Sequence, residues 1–382
     1  MVTIIMKVQV LNDIKDKTLV TEWKKLEEKA DIYPQNSFHW VSTWLKYKGK
    51  SNALRVFVIS ENDVVVAIAP FIIKKSFGIK ILHSIPIHFG DYYHVIIVQD
   101  TASKAEIYDF LLKELESHCG QFWHWIRFDQ ITELDNELVR AFKGRKWVFR
   151  DLTTCPTARI DYEDWDTYLS ELSGSFRSTV RRKLRKYDKS NELTFKAVTS
   201  WEEFEPLFPE MIRIHNMRWE DNFTPKKSKR EQELWKNAIK GIFQSGKAVF
   251  YIIQSGEELV AYRLGFYHNK TYFDWHLSHN PKYNQISPGI VIVALVIKHL
   301  MEKGYSRFDF LAGGYDWKKS WCPGRYAPVN YTVTSPSKSL FSLILNWYYH
   351  GQRDKLREIY HKMTNYSLFR KASRILLSLK KK

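Results

Sequence analysis

Residues 247–280 read KAVFYIIQSGEELVAYRLGFYHNKTYFDWHLSHN, and the fold turns on them. Three runs rich in β-branched and aromatic residues are separated by short polar turns, the pattern of three consecutive antiparallel strands. Strict alternation in the last run predicts Tyr272, Asp274, His276 and Ser278 on one face and Phe273, Trp275 and Leu277 on the other. A polar row inside a core-forming meander needs partners. It lines a cavity, or it pairs with neighbours such as Arg263.

C-terminal to the meander, ISPGIVIVALVIKHLMEKGYSRFDFL (286–311) predicts a helix and then a strand. Val and Ile favour sheets, but the thirteen residues GIVIVALVIKHLM (289–301) exceed an ordinary strand, and Ser287 with Pro288 supply a helix start. Such a helix is apolar on most faces and therefore buried. Its N-terminus, around Gln285, Ser287, Gly289 and Ile290, presents backbone N–H groups and the positive end of the dipole, a place to hold a pyrophosphate. An ordinary capped helix would read the same way.

The strand then runs out through FDFLAGGYDWKKSW (308–321). Asp309 and Asp316 flank a Gly-Gly turn at a strand end, where ligands sit in open sheets. A carboxylate there can take a proton from an attacking amine, and Lys318, beside Tyr315, can hold a phosphate or carboxylate.

Upstream lie helical patterns at about 164–190 and 201–243. MIRIHNMRWED (211–221) places His215 and Arg218 on adjacent turns, a base and an anion clamp by type. GSFRSTVRRKLRKYDKS (174–190) has an apolar stripe of Phe176, Val180, Leu184 and Tyr187, with Arg177, Arg181, Arg182, Arg185 and Lys186 around it. That many like charges on one helix repel, and a bound anion would offset the repulsion.

The first half repeats the plan. LRVFVIS, END and VVVAIAPFIIKK (54–75) form a hairpin; HVIIVQD (94–100) and FWHWIRFDQ (122–130) read as strands around a helix from about 102 to 118. A hairpin or meander, then a helix, then a strand, twice over, indicates two domains of one type in 382 residues, a mixed α/β (α+β) protein with a boundary near 155–165.

The net charge of +17 is concentrated. Residues 338–382 hold eleven Lys and Arg against Asp354 and Glu358, and residues 174–190 hold seven against Asp188. A localised basic face suits an anionic partner: a phosphate-bearing substrate, RNA or an acidic membrane. Three widely spaced cysteines, Cys119, Cys155 and Cys322, argue against a disulfide framework, and no zinc or redox pair is indicated. With no signal-peptide pattern and no uncharged run approaching about 20 residues, the expected location is cytoplasmic.

Together, SGSFRSTVRRKLRK, HNMRWED and the stretch from Gly256 to Trp321 resemble the tandem GNAT-type acyltransferases. A branch it resembles is the CelD-like acetyltransferase family linked to cellulose and other polysaccharide biosynthesis, itself similar to the Fem peptidoglycan aminoacyltransferases. The resemblance is strongest over 156–321 and weaker over 36–130, where FHWVSTWL and GDYYHVIIV occur. It implies a degenerate GNAT-like domain over 1–160, a GNAT acyltransferase domain over 161–335, each with a mostly antiparallel sheet flanked by helices, and a basic helical tail over 336–382.

The activity it implies is transfer of an acyl group, acetyl-CoA or another acyl-CoA being the donor, to an amine or hydroxyl of a sugar or nucleotide-sugar. The thioester would lie beside Leu277 and Ser278 and the pyrophosphate at Gln285, Ser287, Gly289 and Ile290. Asp309, Asp274 or His276 would be the base. His215, Arg218, Tyr315, Lys318 and Arg181 would shape the acceptor side. The usual pyrophosphate loop of GNAT enzymes is reduced here, which leaves aminoacyl-tRNA, the Fem donor, as the alternative. No metal and no DNA are expected. The tail would pack on the domain or rest peripherally on the inner face of an anionic membrane.

Overall fold

The computed structural model describes residues 5–30, 32–49, 53–76, 78–86, 89–98, 104–219 and 228–336. The tail expected over 336–382 lies, from residue 337 on, outside the described residues. Two sheets organise the chain, and each is a meander closed by one parallel strand.

In the first sheet β1 (Met6–Leu11), β2 (Leu54–Glu61), β3 (Val64–Ser76) and β4 (Ile79–Ser84) pair antiparallel in sequence order. A two-residue strand, β5 (Ile96–Ile97), pairs with β3, so the strand expected over 94–100 is much shorter. Next, β6 (Trp125–Thr132) returns parallel to β4. Helices α1 (Lys17–Lys29) and α2 (Phe38–Lys48) join β1 to β2, and α3 (Lys104–Ser117) precedes β6. After α4 (Asn136–Gly144) comes β7 (Val148–Thr154) at the sheet edge.

The second sheet opens with β8 (Thr157–Arg159) and the helices α5 (Trp165–Ser170) and α6 (Gly174–Asp188). Its meander is β9 (Leu193–Val198), β10 (Ala248–Ser255), β11 (Glu258–His268) and β12 (Thr271–His279). Between β9 and β10 lie α7 (Trp201–Phe204), α8 (Phe208–Trp219) and α9 (Lys229–Gln244), the last opened by a capping box of Ser228 and Glu231. Helix α10 (Pro288–Glu302) follows β12, and β13 (Arg307–Asp309) runs parallel to β12 with β8 antiparallel beyond it.

The expected meander, helix and strand are present in both halves, although the first sheet has eight strands and the second six. The chain then forms α11 (Asp316–Lys319) and β14 (Val329–Thr334). The sheet switches near the expected boundary, between β7 and β8. However, β14, which lies in the range assigned to the second domain, inserts into the first sheet between β6 and β7.

Core packing follows apolar content. Helix α10 buries Val291, Ile292, Val293, Ala294, Val296, Ile297 and Leu300 on one face of the second sheet, with Val180 and Leu184 of α6. The other face carries α8 and α9 together with Tyr33, Trp40 and Tyr92 from the first half, so one core spans both halves. At about 25 cal/mol per Å² of buried apolar surface, a shared core of this kind resists separation of the halves. Helices α2 and α9 pack so closely that a Cβ on Gly241 would overlap the His39 ring.

Candidate active site

Strands β12 and β13 pair only from Thr271–Phe273 to Arg307–Asp309 and then part. The separation has local causes. A bulge leaves Trp275 without a place in the β11 register, with Leu264 opposite His276 and Gly265 opposite Asp274. β13 ends after three residues and bends away through Leu311 and Gly313, both at positive φ. A non-glycine residue held there is a strained position, as found at functional sites.

Asp309 stands at this fork, 6% exposed. Its Oδ1 accepts from the Leu311 N–H at 2.7 Å and its Oδ2 from the Tyr92 hydroxyl at 2.7 Å. Burial is the main cause of a carboxyl pKa pushed up to about 7, against the lowering effect of those two donors and of Lys318; nearby Asp91 raises it further. Tyr33 and Tyr92 flank it, their own phenols held neutral by burial and by neighbouring carboxylates. All three line a cavity of about 1150 Å³ with Thr157, Phe273 and Tyr326.

Tyr92 comes from the first half, and a short 3-10 turn, Pro34–Asn36, fixes its segment. Asn36 Nδ2 donates to the Tyr92 carbonyl at 3.2 Å, and the Asp91 N–H donates to Gln35 Oε1 at 2.8 Å. Asn330 of β14, fully buried, donates to the Asp91 carbonyl at 2.7 Å. The Asp91 carboxyl is itself raised to about 6 by burial, opposed by Lys318 and the Ala312 N–H.

Lys318 closes the constellation. Its Nζ donates to the carbonyls of Phe310 (2.7 Å) and Ala312 (2.8 Å), tying α11 to the end of β13. Burial pushes its ammonium pKa down, while Asp274, Asp91 and Asp309 oppose that shift. Asp274 forms a buried ion pair with Arg263 and accepts from the Tyr272 hydroxyl at 3.3 Å; Arg263 lies 5.6 Å from the Trp317 ring centre.

The bulge corrects one expectation: Asp274 and His276 do not share a face. Asp274 sits with Arg263 and Tyr272, whose ring belongs to the α10 side, while His276 turns to the α8 and α9 side. There His276 stacks on Tyr262, bonds its hydroxyl at 3.1 Å, and lies 4.7 Å from the His215 ring and 4.3 Å from Trp235. The paired histidines thus form a second cluster. Ser278 faces α8 and donates to the Ile214 carbonyl at 3.5 Å, and Leu277 is opposite Arg263 in the ladder.

The other expected residues scatter. Tyr315 is 64% exposed beside Lys318. Arg181 lies on the exposed side of α6, paired with Asp166 at 2.8 Å. Arg218 is in the last turn of α8, its side chain outside the described ones. At the α10 start Ser287 has φ +55°, and a Cβ on Gly289 would meet only His279 Nδ1, at 3.9 Å, so the turn can be approached. Yet Pro288 carries no N–H, and the N–H groups of Ile290 and Val291 turn back to the Ser287 carbonyl. For a CoA pyrophosphate the cradle is thin. Among the described residues, no group of His, Cys, Asp and Glu could hold a metal, and no helix is long and apolar enough to cross a membrane.

Chemically, a buried carboxyl titrating near neutrality in a cavity is suited to general-base catalysis, with Tyr92 fixing its orientation. Sequence reasoning missed Asp91, Tyr92 and the Gln35-Asn36 pair. Their signal was the unusual burial of polar residues, which no local pattern displays.

Residues 174–319 match the family profile described as "Acetyltransferase (GNAT) domain". No curated protein matches the sequence. Solved structures with a similar fold include FemX (13% identity, 82% of this chain and 95% of that chain covered, TM-score 0.57). Another is the C-terminal domain of a putative lysylphosphatidylglycerol synthetase from Agrobacterium fabrum (11%, 83% and 92%, 0.54). A third is a conserved protein of unknown function from Bacteroides thetaiotaomicron (11%, 86% and 100%, 0.55). The likeness is one of fold: two tandem GNAT-like sheets with flanking helices.

Proposed function

We propose that this chain, an acyltransferase with a GNAT-type domain over residues 174–319, moves an acyl group from an activated carrier to an amine or hydroxyl, with Asp309 as base. The observation that supports this most is the position of Asp309: at the fork of β12 and β13, lining a cavity, with a carboxyl that titrates near 7. The acceptor nucleophile gives its proton to Asp309 Oδ as it attacks the acyl carbon, and the carrier leaves with the electron pair of the broken bond. The backbone of β12 just past Phe273, where β13 no longer covers it and nearer to Asp309 than the expected Leu277 and Ser278, is the place for the acyl carbonyl, where fixed N–H dipoles can meet the developing oxyanion. On this reading residues 161–335 carry the chemistry and residues 1–160 supply Tyr92, Asp91 and the wall facing them.

For the donor, the family match supports acetyl-CoA or another acyl-CoA, held at Gln285, Ser287, Gly289 and Ile290; the acceptor would be a sugar or nucleotide-sugar of a surface polysaccharide. A second reading has a specific observation in its favour. Pro288 and the inward-turned N–H groups of Ile290 and Val291 leave little for a pyrophosphate. A carrier whose phosphates are held elsewhere, as the Fem resemblance implies for aminoacyl-tRNA, suits the exposed Arg181, Arg182, Arg185 and Lys186 of α6. A membrane contact through 338–382 belongs to either reading.

Thermal unfolding with acetyl-CoA, CoA and deacylated tRNA, each at low and moderate salt, separates them. A ligand at about 100 Kd adds roughly 2.7 kcal/mol of stability. A salt-tolerant shift with acetyl-CoA establishes the first reading. A shift with tRNA alone that fades steeply with salt establishes the second, and no shift with any of the three removes both.

A further inference from the structure

Asp91 and Tyr92 are neighbours in the chain, yet they line different cavities. Tyr92 lines the cavity of Asp309, while Asp91, only partly buried, lines a cleft of about 1000 Å³ with Phe89, Gly90, Trp275 and His276. The two cavities share no lining residue, so this dipeptide stands in the wall between them. Both of its side chains reach one turn of the second half, residues 309–312. The Tyr92 hydroxyl donates to Asp309 at 2.7 Å, and the Asp91 carboxyl takes the Ala312 N–H.

That turn gathers charge. Leu311 has φ +57°, a conformation that lets successive N–H groups converge on anions. Here the first, of Leu311, goes to Asp309 at 2.7 Å and the second, of Ala312, to Asp91. The carbonyls of the same segment go to Lys318, whose Nζ donates to Phe310, Leu311 and Ala312 at 2.7, 3.4 and 2.8 Å. Two carboxyls and one ammonium therefore hold three consecutive residues, and one of those carboxyls comes from the other half. Gln35 and Asn330 bond the N–H and carbonyl of Asp91, at 2.8 and 2.7 Å, so they fix where its carboxyl stands.

The other titratable groups around the pair, among the described residues, are Tyr33, Tyr92, Cys155, Cys322, Lys318 and, beyond Lys318, Asp274. Burial and the carboxyls keep both phenols and both thiols neutral. Asp274 is committed to Arg263. The groups that remain are the two carboxyls and Lys318.

We infer that Asp91 is a positioning residue: it completes a carboxyl pair with Asp309 on the 311–312 turn, through which the first half aims that base and keeps it basic. Asp91, facing its own cleft, ionises first, and its charge then opposes the ionisation of Asp309. Without that charge Asp309 is a weaker base. That Asp309 acts as the base rests on the acyl-transfer reading; the pairing of the two carboxyls does not.

The test compares the full chain with Asp91→Asn, Asp91→Ala and Asp309→Asn. Carboxyl resonances of carbon-13 aspartate-labelled protein, followed from pH 4 to 9 with no substrate present, report the pair directly. The resonance absent from Asp309→Asn identifies Asp309. In wild type it should respond in two steps, because interacting sites titrate as a pair. In Asp91→Asn, which keeps an oxygen for the Ala312 N–H, it should titrate in one step, about one pH unit lower. The acid limb of kcat/KM, measured with the carrier that thermal unfolding selects, should move down with it. The high-pH plateau should fall only about threefold, as expected of a slightly weaker base. Asp91→Ala should shift the limb equally but lose about tenfold more at the plateau, since the turn loses its acceptor and the base its aim. An Asp309 titration unchanged by either substitution overturns the proposal. So does an Asp91→Asn protein whose plateau falls about 10²–10⁴-fold and whose acid limb is gone, because Asp91 is then the base itself. If the two steps collapse to one but no carrier is turned over, the pair stands and the acyl-transfer reading fails.

Discussion

Tyr92 and Asp309 are 217 positions apart, and the hydroxyl of one donates to the carboxylate of the other at 2.7 Å across the boundary between the two halves. The bond makes the first half part of the candidate site. It also acts on the titration of the proposed base, because burial raises the carboxyl pKa and a donor to the charged form lowers it again.

Tyr92→Phe should therefore raise the Asp309 pKa beyond about 7. The acid limb of kcat/KM moves to higher pH, activity near pH 7 falls, and near pH 9 it approaches wild type. Asp309→Asn instead should lower the high-pH plateau of kcat about 10²–10⁴-fold and abolish the acid limb. A pH–rate profile of both proteins decides it; an unmoved limb in the Phe variant would show that Asp309 is not the titrating base.

Stability carries the same signature with a definite sign. The folded-state pKa values of Asp309 and Asp91, about 7 and about 6, lie above the ordinary 3.8. The folded state then holds more protons than the unfolded one between about pH 4 and 7, so stability falls as pH rises through that window. Asp129, held low by His83 and Arg127, acts in the opposite sense only at far lower pH. Urea unfolding at pH 5 and pH 8 should show a larger loss for wild type than for Asp309→Asn. Equal losses would mean that Asp309 ionises normally.

Asp274→Ala should destabilise by about 3–5 kcal/mol, since it leaves Arg263 charged and buried without its partner. The double change Asp274→Leu with Arg263→Met should recover most of that loss. If the single change is nearly neutral in urea titration, the pair is not the structural tie it is taken to be.

Gly265→Ala tests the bulge. A Cβ there would run into the Phe273 carbonyl and the Tyr272 ring, so the ladder must shift at the point where Asp274 and His276 part faces. The loss should be about 1–3 kcal/mol or more, read as a lowered urea midpoint. A variant with the wild-type urea midpoint would show that the bulge tolerates a side chain.

How much of this was legible in the sequence depends on the range of the cause. Residues 247–280 and the helix from Pro288 announce themselves through local periodicity, and the structure has them where they were expected. Asp309 could be singled out because a charge between Phe308 and Phe310 is a local anomaly. The split between Asp274 and His276 could not, since a bulge depends on the partner strand and on Gly265 opposite. Asp91 and Tyr92 were hidden for a similar reason: what makes them notable is contact with residues more than 200 positions away. Strand β14 was missed because VNYTVT (329–334) is short and its neighbours were laid down in the first half.

That strand has a consequence for the order in which the chain can mature. As it leaves the ribosome, every strand of the first sheet but β14 is present in sequence by Thr154, and β7 reaches β6 only through β14. Asn330, which grips the carbonyl of Asp91, arrives with it. Until about residue 334 has been synthesised, the nascent first half carries an open slot and an ungripped Asp91. The first sheet cannot be completed from the first half alone, and the candidate site gains its grip on Asp91 only with the last of the described strands.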